Sequence, residues 1–353
     1  MDSIAERIRN IVIHELDLNQ LCREKPNHVP MDGPKRLGYF SCYENNDKSV
    51  YCPDKSALRY LDLPNPVNIN CLQGYDPNVK YGHVVSRDMF VLRWILNNET
   101  TVQNFPSDFI CNNGVMKEIM TLKFNNFDWN LSATKIRGKI VLNKIESIGK
   151  KENIDTQSEK DNKSTYAASN FQRLITKTAN GHKCTSGKEE CSFYGVFHSN
   201  IGSHRVLHVG WLHSVESKQE LVKPFDEMKF VAVKKFNAPR ASQSAFQSST
   251  WWSLAKLAGV DTIVRAKCEQ DYTIKSIDKL KVDSLINKHS QMTFVAALNK
   301  VFDFIKAIVR EENKCYIFSF NAKDKKLTGC VRKGSDENII PSWYIDLQLP
   351  NTS

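Results

Sequence analysis

The sequence predicts an α+β fold, in which helices flank mixed β-sheet. Strand-like segments lie on both sides of strong helical segments, strands and helices do not alternate strictly, and the composition is globular. Of the 353 residues, 41% are hydrophobic, 25% charged and 10% aromatic. Such a chain can form one large domain or two ordinary ones. We expect a single domain over residues 1–353, because its segments need one another to bury their apolar faces.

Apolar residues at helical spacing predict five helices. The strongest pattern runs from Met292 to Glu311 for five turns. A helix over 86–97 is expected to begin at Ser86, and another over 248–259 to begin at a serine and stop at Gly259. Shorter helices are predicted at 4–16, inside an N-terminal helix and turn region over 1–37, and at 108–120. The inward face of the helix over 86–97 is predicted to comprise Phe90, Val91, Trp94 and Ile95.

Alternating or continuous apolar residues predict the strands. The clearest in the first half is "ATKIRGKIVLNKI" at 133–145, with Ile136, Ile140 and Leu142 on one face. Residues 150–165 lack apolar periodicity and are predicted to form an exposed loop. Further strands are predicted to start at "RLGYFS" and to include "SHRVLHVGWLHSVE", "MKFVAVKKF", "CYIFSF", "LTGCVR" and "SWYIDL".

The formal net charge of +10 favours a polyanionic partner such as nucleic acid, although a solvated basic surface explains it equally well. No apolar run is long enough to cross a bilayer, and no signal-peptide core follows Met1, so we expect an intracellular protein without a membrane partner, nuclear or cytoplasmic. The ten cysteines form no C-x-x-C pair, which favours reduced, mostly buried thiols over disulfides.

A set of motifs occurs in a recognisable order from about Gly38 to Leu347. They are "GYFS", "PDKSALRYLD", "LRWIL", "DFICNNG", "ATKIRG", the pair Trp251 and Trp252, "AGV" and "PSWYIDL". In this order they resemble the DXO-type family of RNA decapping and 5′–3′ exoribonucleases. The resemblance implies two twisted mixed β-sheets flanked by helices, with a cleft that acts on RNA 5′ ends.

Enzymes of that family hold divalent metal with four carboxylates, from a G-x-x-x-E segment, an E-x-D pair and an E-x-K pair. An upstream arginine and a glutamine after two tryptophans help to hold the RNA. Carboxylates are needed because two hard cations about 4 Å apart stabilise the attacking and leaving oxygens. The matching positions here are Asn113 for the arginine, Ser199 for the first glutamate, Trp211 and His213 for E-x-D, Ala232 and Lys234 for E-x-K, and Leu254 for the glutamine.

Of these positions only Lys234 keeps the residue type that the resemblance implies, so we expect no catalytic residues and no bound metal. Side chains two apart in a strand share a face, which directs Trp211 with His213, and Ala232 with Lys234, into the expected cleft. Trp211 is expected to pack in the core, with stacking on an RNA base as the alternative. Lys234 could bind an RNA phosphate or equally reach solvent or a local acid.

Four histidines, at positions 198, 204, 208 and 213, follow Cys184 and Cys191 closely. Their spacing matches no standard zinc site, so we expect ordinary hydrogen-bonded histidines.

The leading hypothesis is therefore a non-catalytic binder of RNA 5′ ends, in which Lys234, Trp211, His213, Lys235 and Arg240 contact RNA. It would shield the end or recruit an exonuclease or another RNA-processing protein. One alternative is an active decapping nuclease that uses Mg²⁺ or Mn²⁺ and takes its carboxylates from elsewhere, for example from Glu216, Glu220, Asp226 and Glu227. The other is a protein-docking scaffold without RNA affinity.

Overall fold

The computed structural model describes residues 13–23, 26–45, 48–81, 90–145, 158–180, 189–237, 244–332 and 340–345. In chain order the strands of these residues are β1 (His14–Asp17), β2 (Met31–Asn45), β3 (Lys48–Cys52), β4 (Arg59–Leu61), β5 (Ile69–Asn70), β6 (Phe109–Asn112), β7 (Trp129–Ile136), β8 (Lys139–Ile145), β9 (Thr176–Thr178), β10 (Glu189–Ile201), β11 (His204–Leu212), β12 (Ser214–Val215), β13 (Phe230–Asn237), β14 (Thr262–Cys268), β15 (Thr273–Ile274), β16 (Ile277–Lys281), β17 (Cys315–Asn321) and β18 (Lys326–Val331).

Helices of the same residues are α1 (Asn19–Arg23), α2 (Phe90–Asn97), α3 (Glu99–Asn104), α4 (Asn113–Met120), α5 (Glu159–Leu174), α6 (Ala245–Leu257), α7 (Lys288–Ile308) and α8 (Ser342–Ile345). Short 3₁₀ turns lie at Lys218–Val222 and Val282–Ser284. No helix of the described residues is long and apolar enough to cross a membrane.

Two large sheets carry the fold. The ten-stranded sheet has the order β1-β18-β17-β7-β8-β6-β11-β10-β2-β3, and the six-stranded sheet has the order β16-β14-β13-β12-β4-β9. Both are mixed, because β6 runs parallel to β8 and β11, and β13 runs parallel to β14, whereas most other pairs are antiparallel. The predicted class, two mixed sheets flanked by helices, is confirmed.

Three apolar clusters fill the space around the sheets. The main core joins helices α4, α6 and α7 to the inner faces of both sheets. A second cluster packs α2 and the C-terminal Tyr344 against the other face of β2, β10 and β11. A third packs α5 against β13 and β14 of the smaller sheet. Both faces of β11 and β13 are thus covered along most of their length.

Several predicted elements are confirmed with adjusted ends. The long helix α7 starts at Lys288 after the cap Asn287, and α6 starts after the cap Ser244 rather than at Ser248. Gly259, just past α6, has a φ of +61°, as expected of a helix stop. The four predicted inward residues of α2 are buried, while Ser86 lies outside the described residues.

Other predictions about the elements are wrong. Residues 133–145 form a hairpin, not one strand, because Arg137 and Gly138 turn the chain with φ values of +52° and +74°. Residues 108–120 form strand β6 followed by helix α4, not one helix. Asn112, the last residue of β6, caps α4 because its side chain accepts a hydrogen bond from the Val115 N–H. Ile136 and Ile140 consequently pack in different clusters.

Three further segments differ. Ser158 caps α5, so residues 159–165 are helical rather than a loop, while 150–157 lie outside the described residues. Leu16 lies in β1, which pairs with β18, and the rest of the predicted N-terminal helix up to residue 12 is likewise outside them. "SWYI" is the short helix α8, whose Tyr344 packs into the second cluster. None of the nine described cysteines forms a disulfide, as expected, but only four of them are fully buried.

Gly38, which opens the motif "GYFS", lies in β2 against the buried indole of Trp94. A Cβ atom at residue 38 would lie 2.6 Å from Trp94 Cζ2. Since the indole is rigid and packed on all sides, it has little room to move. The glycine therefore permits the close approach of α2 to the sheet.

We expect Gly38→Ala to lower the free energy of unfolding by about 1–3 kcal/mol, because the added methyl group overpacks the second cluster. Chemical denaturation measures the change. Val50→Ala, at a side chain 54% exposed on the neighbouring strand β3, is the control and should change it by about 0.5 kcal/mol or less. An unchanged stability of Gly38→Ala would contradict the packing described.

Candidate nucleic-acid interface

The chain passes from the larger to the smaller sheet between Leu212 and Ser214. Trp211 lies near the end of β11, His213 lies in the crossing, and β12 then pairs with β13 over only two residues. Beyond that pairing the Val233 N–H donates to Nδ1 of His213 at 2.8 Å, so the imidazole replaces a strand partner. The crossing brings the two predicted strand motifs together.

The rings of Trp211 and His213 are in contact. Their centroids are 4.5 Å apart and their planes are nearly perpendicular at 88°. His213 is buried, whereas Trp211 is 42% exposed, so the prediction that Trp211 packs in the core is wrong. Burial, and next the nearby charge of Lys234, hold the pKa of His213 well below its usual value. The imidazole is therefore neutral, and because Nδ1 accepts a hydrogen bond, Nε2 carries the proton.

Lys234 lies two residues after Ala232 on the face of β13 that is turned toward the main core. Burial lowers the pKa of its ammonium to about 8. Within the described part of the chain, its ammonium has no hydrogen bond and no ion pair with a carboxylate. Nor do those residues contain a group of three or more His, Cys, Asp or Glu side chains placed to hold a metal ion.

The four acids named as alternative metal ligands lie in the segment between β12 and β13. Glu216 pairs with Lys279 at 3.0 Å. Glu220 pairs with Lys223 at 2.7 Å and accepts from the Lys229 N–H at 2.8 Å. Asp226 and Glu227 are exposed and precede β13. Since a strand rises by about 3.3 Å per residue, Phe230, where β13 begins, is already about 13 Å along the strand from Lys234.

Asn113 and Ser199, two of the predicted positions, meet in a buried network around His208. The Nδ1–H of His208 donates to Asn113 Oδ1 at 2.6 Å, and the hydroxyl of Ser199 donates to His208 Nε2 at 2.9 Å. Burial lowers the pKa of His208 to about 3, so its ring is neutral. His208 and Trp211 are three apart in β11 and project to opposite faces. The predicted positions therefore form two groups, not one site.

The remaining predicted residues do not join Lys234. Lys235 is on the other face of β13, where it donates to Asn237 Oδ1 at 2.8 Å. Leu254 is half-buried in α6, and Arg240 lies outside the described residues. Lys256, a basic residue of α6, pairs with Asp283 at 3.5 Å.

The four clustered histidines are hydrogen-bonded, as predicted, rather than gathered at one point. His198 bonds to the carbonyl of Pro106 and His204 to the carboxylate of Asp303, while His208 and His213 have the partners given above. Sequence reasoning missed the role of His208. The odd sequence separation of His208 and His213 correctly indicated that they lie on different strand faces. No sequence pattern indicated that His208 bonds to Asn113, because Asn113 is distant in sequence.

A match to a family model assigns this fold to the nuclease-fold class. A family model described as "RAI1 like PD-(D/E)XK nuclease" matches residues 32–345. The chain belongs to this Rai1/DXO family, and the resemblance drawn from the motifs is confirmed.

Two curated relatives are decapping and exoribonuclease proteins. The Rai1 protein of Drosophila melanogaster is 25% identical over 256 residues, which cover 68% of each chain. The Bos taurus protein is 20% identical over 366 residues, which cover 93% of this chain and 91% of the relative.

Solved structures of yeast Rai1 proteins share the fold. Rai1 of Scheffersomyces stipitis, in complex with (3′-NADP)⁺ and calcium ion, matches with a TM-score of 0.73 and 17% identity, covering 92% of this chain and 93% of that one. Rai1 of Candida albicans, in complex with pU5-Mn²⁺, matches with a TM-score of 0.74 and 14% identity, covering 95% and 98%.

The two buried imidazoles predict a particular response to pH. Below about pH 6.5 the unfolded chain binds protons at His208 and His213 that the folded protein excludes. The free energy of unfolding should therefore decrease as the pH is lowered, by up to about 1.4 kcal/mol per pH unit for each histidine. For His208 this decrease should continue down to about pH 3. Denaturation at pH 7, 6 and 5 measures the slope.

Imidazole ¹H–¹⁵N spectra assign the slope to these rings. At pH 5, His208 should remain in the neutral Nδ1–H form and His213 in the neutral Nε2–H form. Titration of either ring near pH 6.5 would contradict the hydrogen bonds described.

Lys234 should cost stability at neutral pH, because its lowered pKa means that the folded protein holds the charged form poorly. Lys234→Met is expected to raise the free energy of unfolding at pH 7 by on the order of 1–3 kcal/mol. Between pH 8 and 10.5 the unfolded chain keeps the proton that the folded protein loses, so the native protein gains stability and the advantage of the variant shrinks. A destabilised Lys234→Met at pH 7 would reveal a partner for the ammonium.

Proposed function

We propose that this chain is a non-catalytic member of its family that binds RNA 5′ ends, and that it shields them or recruits other proteins instead of cleaving. One observation carries the proposal: Lys234, whose ammonium has no carboxylate partner among the described residues, lies beside a neutral histidine whose ring contacts an exposed tryptophan. The resemblance implies acids at these positions in the enzymes of the family. Metal-assisted cleavage needs anionic oxygens at these positions.

The side chains present do not fit a divalent cation. Ala232 has no ligand atom, and Lys234 is itself a cation. Nδ1 of His213 is occupied by the Val233 N–H and its Nε2 is protonated. Trp211 offers an aromatic face and a donor N–H, neither of which binds Mg²⁺ or Mn²⁺.

The same side chains suit single-stranded RNA. A base that stacks on an exposed indole gains about 1–3 kcal/mol, largely independent of sequence. A lysine without a carboxylate partner attracts phosphate, and the excess of ten basic residues over acidic ones supports binding of a polyanion. The complex of the Candida albicans Rai1 protein with pU5-Mn²⁺ gives a precedent for an RNA ligand on this fold. The proposed interface comprises Trp211, His213 and Lys234, and it excludes Lys235, which faces the other way.

A 5′-monophosphorylated RNA of about twenty nucleotides should bind with similar affinity in EDTA and in Mg²⁺, because no cation is needed to bridge the ligand. Affinity should fall by about 10³-fold or more between 50 and 200 mM salt if several phosphates are contacted. Trp211→Ala should weaken binding by about 5- to 150-fold, the equivalent of one lost stack. Fluorescence anisotropy measures all three.

Phe127→Ala is the matched control, since Phe127 is an aromatic residue 76% exposed outside the proposed interface. It should bind RNA like the native chain. Loss of binding on chelation would overturn the proposal, and absence of RNA binding altogether would leave the protein-docking scaffold as the better explanation.

Nuclease activity is tested directly with triphosphate- or NAD-capped RNA in Mg²⁺ or Mn²⁺. We expect no release of cap or nucleotides above a protein-free control. Release that disappears in an Asp226→Asn/Glu227→Gln double variant would instead establish an active nuclease with carboxylates from the segment before β13.

A further inference from the structure

The site has the opposite polarity to a metal site, because its side chains present hydrogen-bond donors and no free acceptors. The ring of His213 has one acceptor nitrogen, and the Val233 N–H occupies it at 2.8 Å. The other nitrogen is then an N–H donor, as the lowered pKa and neutral ring require. Lys234 contributes three N–H donors, and the Trp211 indole carries a donor only.

The positions of these donors follow from the backbone. The hydrogen bond to Val233 fixes the imidazole against β13, one residue from Lys234, and the Trp211 ring is perpendicular to it at 4.5 Å. Ala232, on the same face as Lys234, adds neither a donor nor an acceptor. Burial makes the ammonium gain more from an anionic partner than it would in water.

A ligand that matches this set has only acceptors and carries negative charge. A phosphodiester has two unbridged oxygens, whereas a terminal phosphate has three and up to two negative charges. Four N–H donors from one lysine and one histidine are better satisfied by the terminal group. A divalent cation, in contrast, meets an ammonium and an occupied histidine.

We infer that His213 Nε2–H and Lys234 bind the terminal phosphate of an RNA directly, at the place where relatives would bind a divalent cation. This inference rests on the proposed function and adds the chemical group of the RNA that the site recognises. Trp211 stacks the adjoining base, and no metal takes part. His213 is thereby a specificity-determining residue, since its fixed tautomer selects a phosphate over a cation.

The test compares two RNAs of identical sequence, one with a 5′-monophosphate and one with a 5′-hydroxyl, both in EDTA. The phosphorylated RNA should bind at least about tenfold more tightly, as expected for charge-assisted hydrogen bonds. Lys234→Met should abolish the difference. Lys235→Met, which removes the neighbouring charge from the opposite face of β13, should retain it. Addition of Mn²⁺ should not increase the affinity of either RNA.

The outcomes separate the two proposals. Equal binding of both RNAs, or a preference that appears only with Mn²⁺, would overturn the terminal-phosphate site while RNA binding stands. Without RNA binding, the proposed function fails. In that case the phosphate site is tested separately, by adding inorganic phosphate in EDTA and following the His213 Nε2–H resonance. A shift of this resonance that is present in Lys235→Met and absent in Lys234→Met supports the phosphate site. No shift in the native chain overturns it.

Discussion

The backbone N–H of Val233 donates to Nδ1 of His213, and the chemistry of the site depends on this hydrogen bond. It arises because β12 is only two residues long, so the edge of β13 lacks a strand partner at residue 233. The imidazole satisfies the exposed N–H and is held in one orientation. In the same step it loses its acceptor nitrogen, and with it the capacity to bind a metal through that atom.

Lys234 shows the cost of this arrangement. A cation whose pKa is lowered by burial, with no carboxylate beside it among the described residues, destabilises the folded state at neutral pH. Residues that destabilise the folded state occur mainly at functional sites, where ligand binding offsets the lost stability. Apolar clusters pack against both faces of β11 and β13 and fix the backbone that carries the donors, and the hydrogen bond from Val233 orients the imidazole before a ligand arrives. Such preorganisation favours binding.

Much of the fold could be predicted from the sequence. The five-turn apolar pattern of α7 and the strands around Trp211 and Lys234 were correctly predicted, since their periodicity is long or strongly apolar. The hairpin at 133–145 was missed because Arg137 turns the chain with positive φ, which is unusual for arginine. The helix at 159–174 was missed because its start is almost entirely polar and only its later turns bury apolar residues.

The site was predicted in part. Strand parity correctly paired Trp211 with His213, but the exposure of Trp211 depends on where β11 ends against the smaller sheet, which the local sequence does not encode. The bond between Asn113 and His208 spans 95 positions, so only the tertiary structure separates that buried network from Lys234.

The most direct measurement is a crystal structure of the protein with 5′-phosphorylated RNA and MnCl₂, with anomalous data collected for manganese. Phosphate oxygens within hydrogen-bonding distance of Lys234 Nζ and His213 Nε2, and no manganese peak beside them, are the predicted result. A manganese ion coordinated at this position, by His213 or by carboxylates brought in from elsewhere, would contradict it.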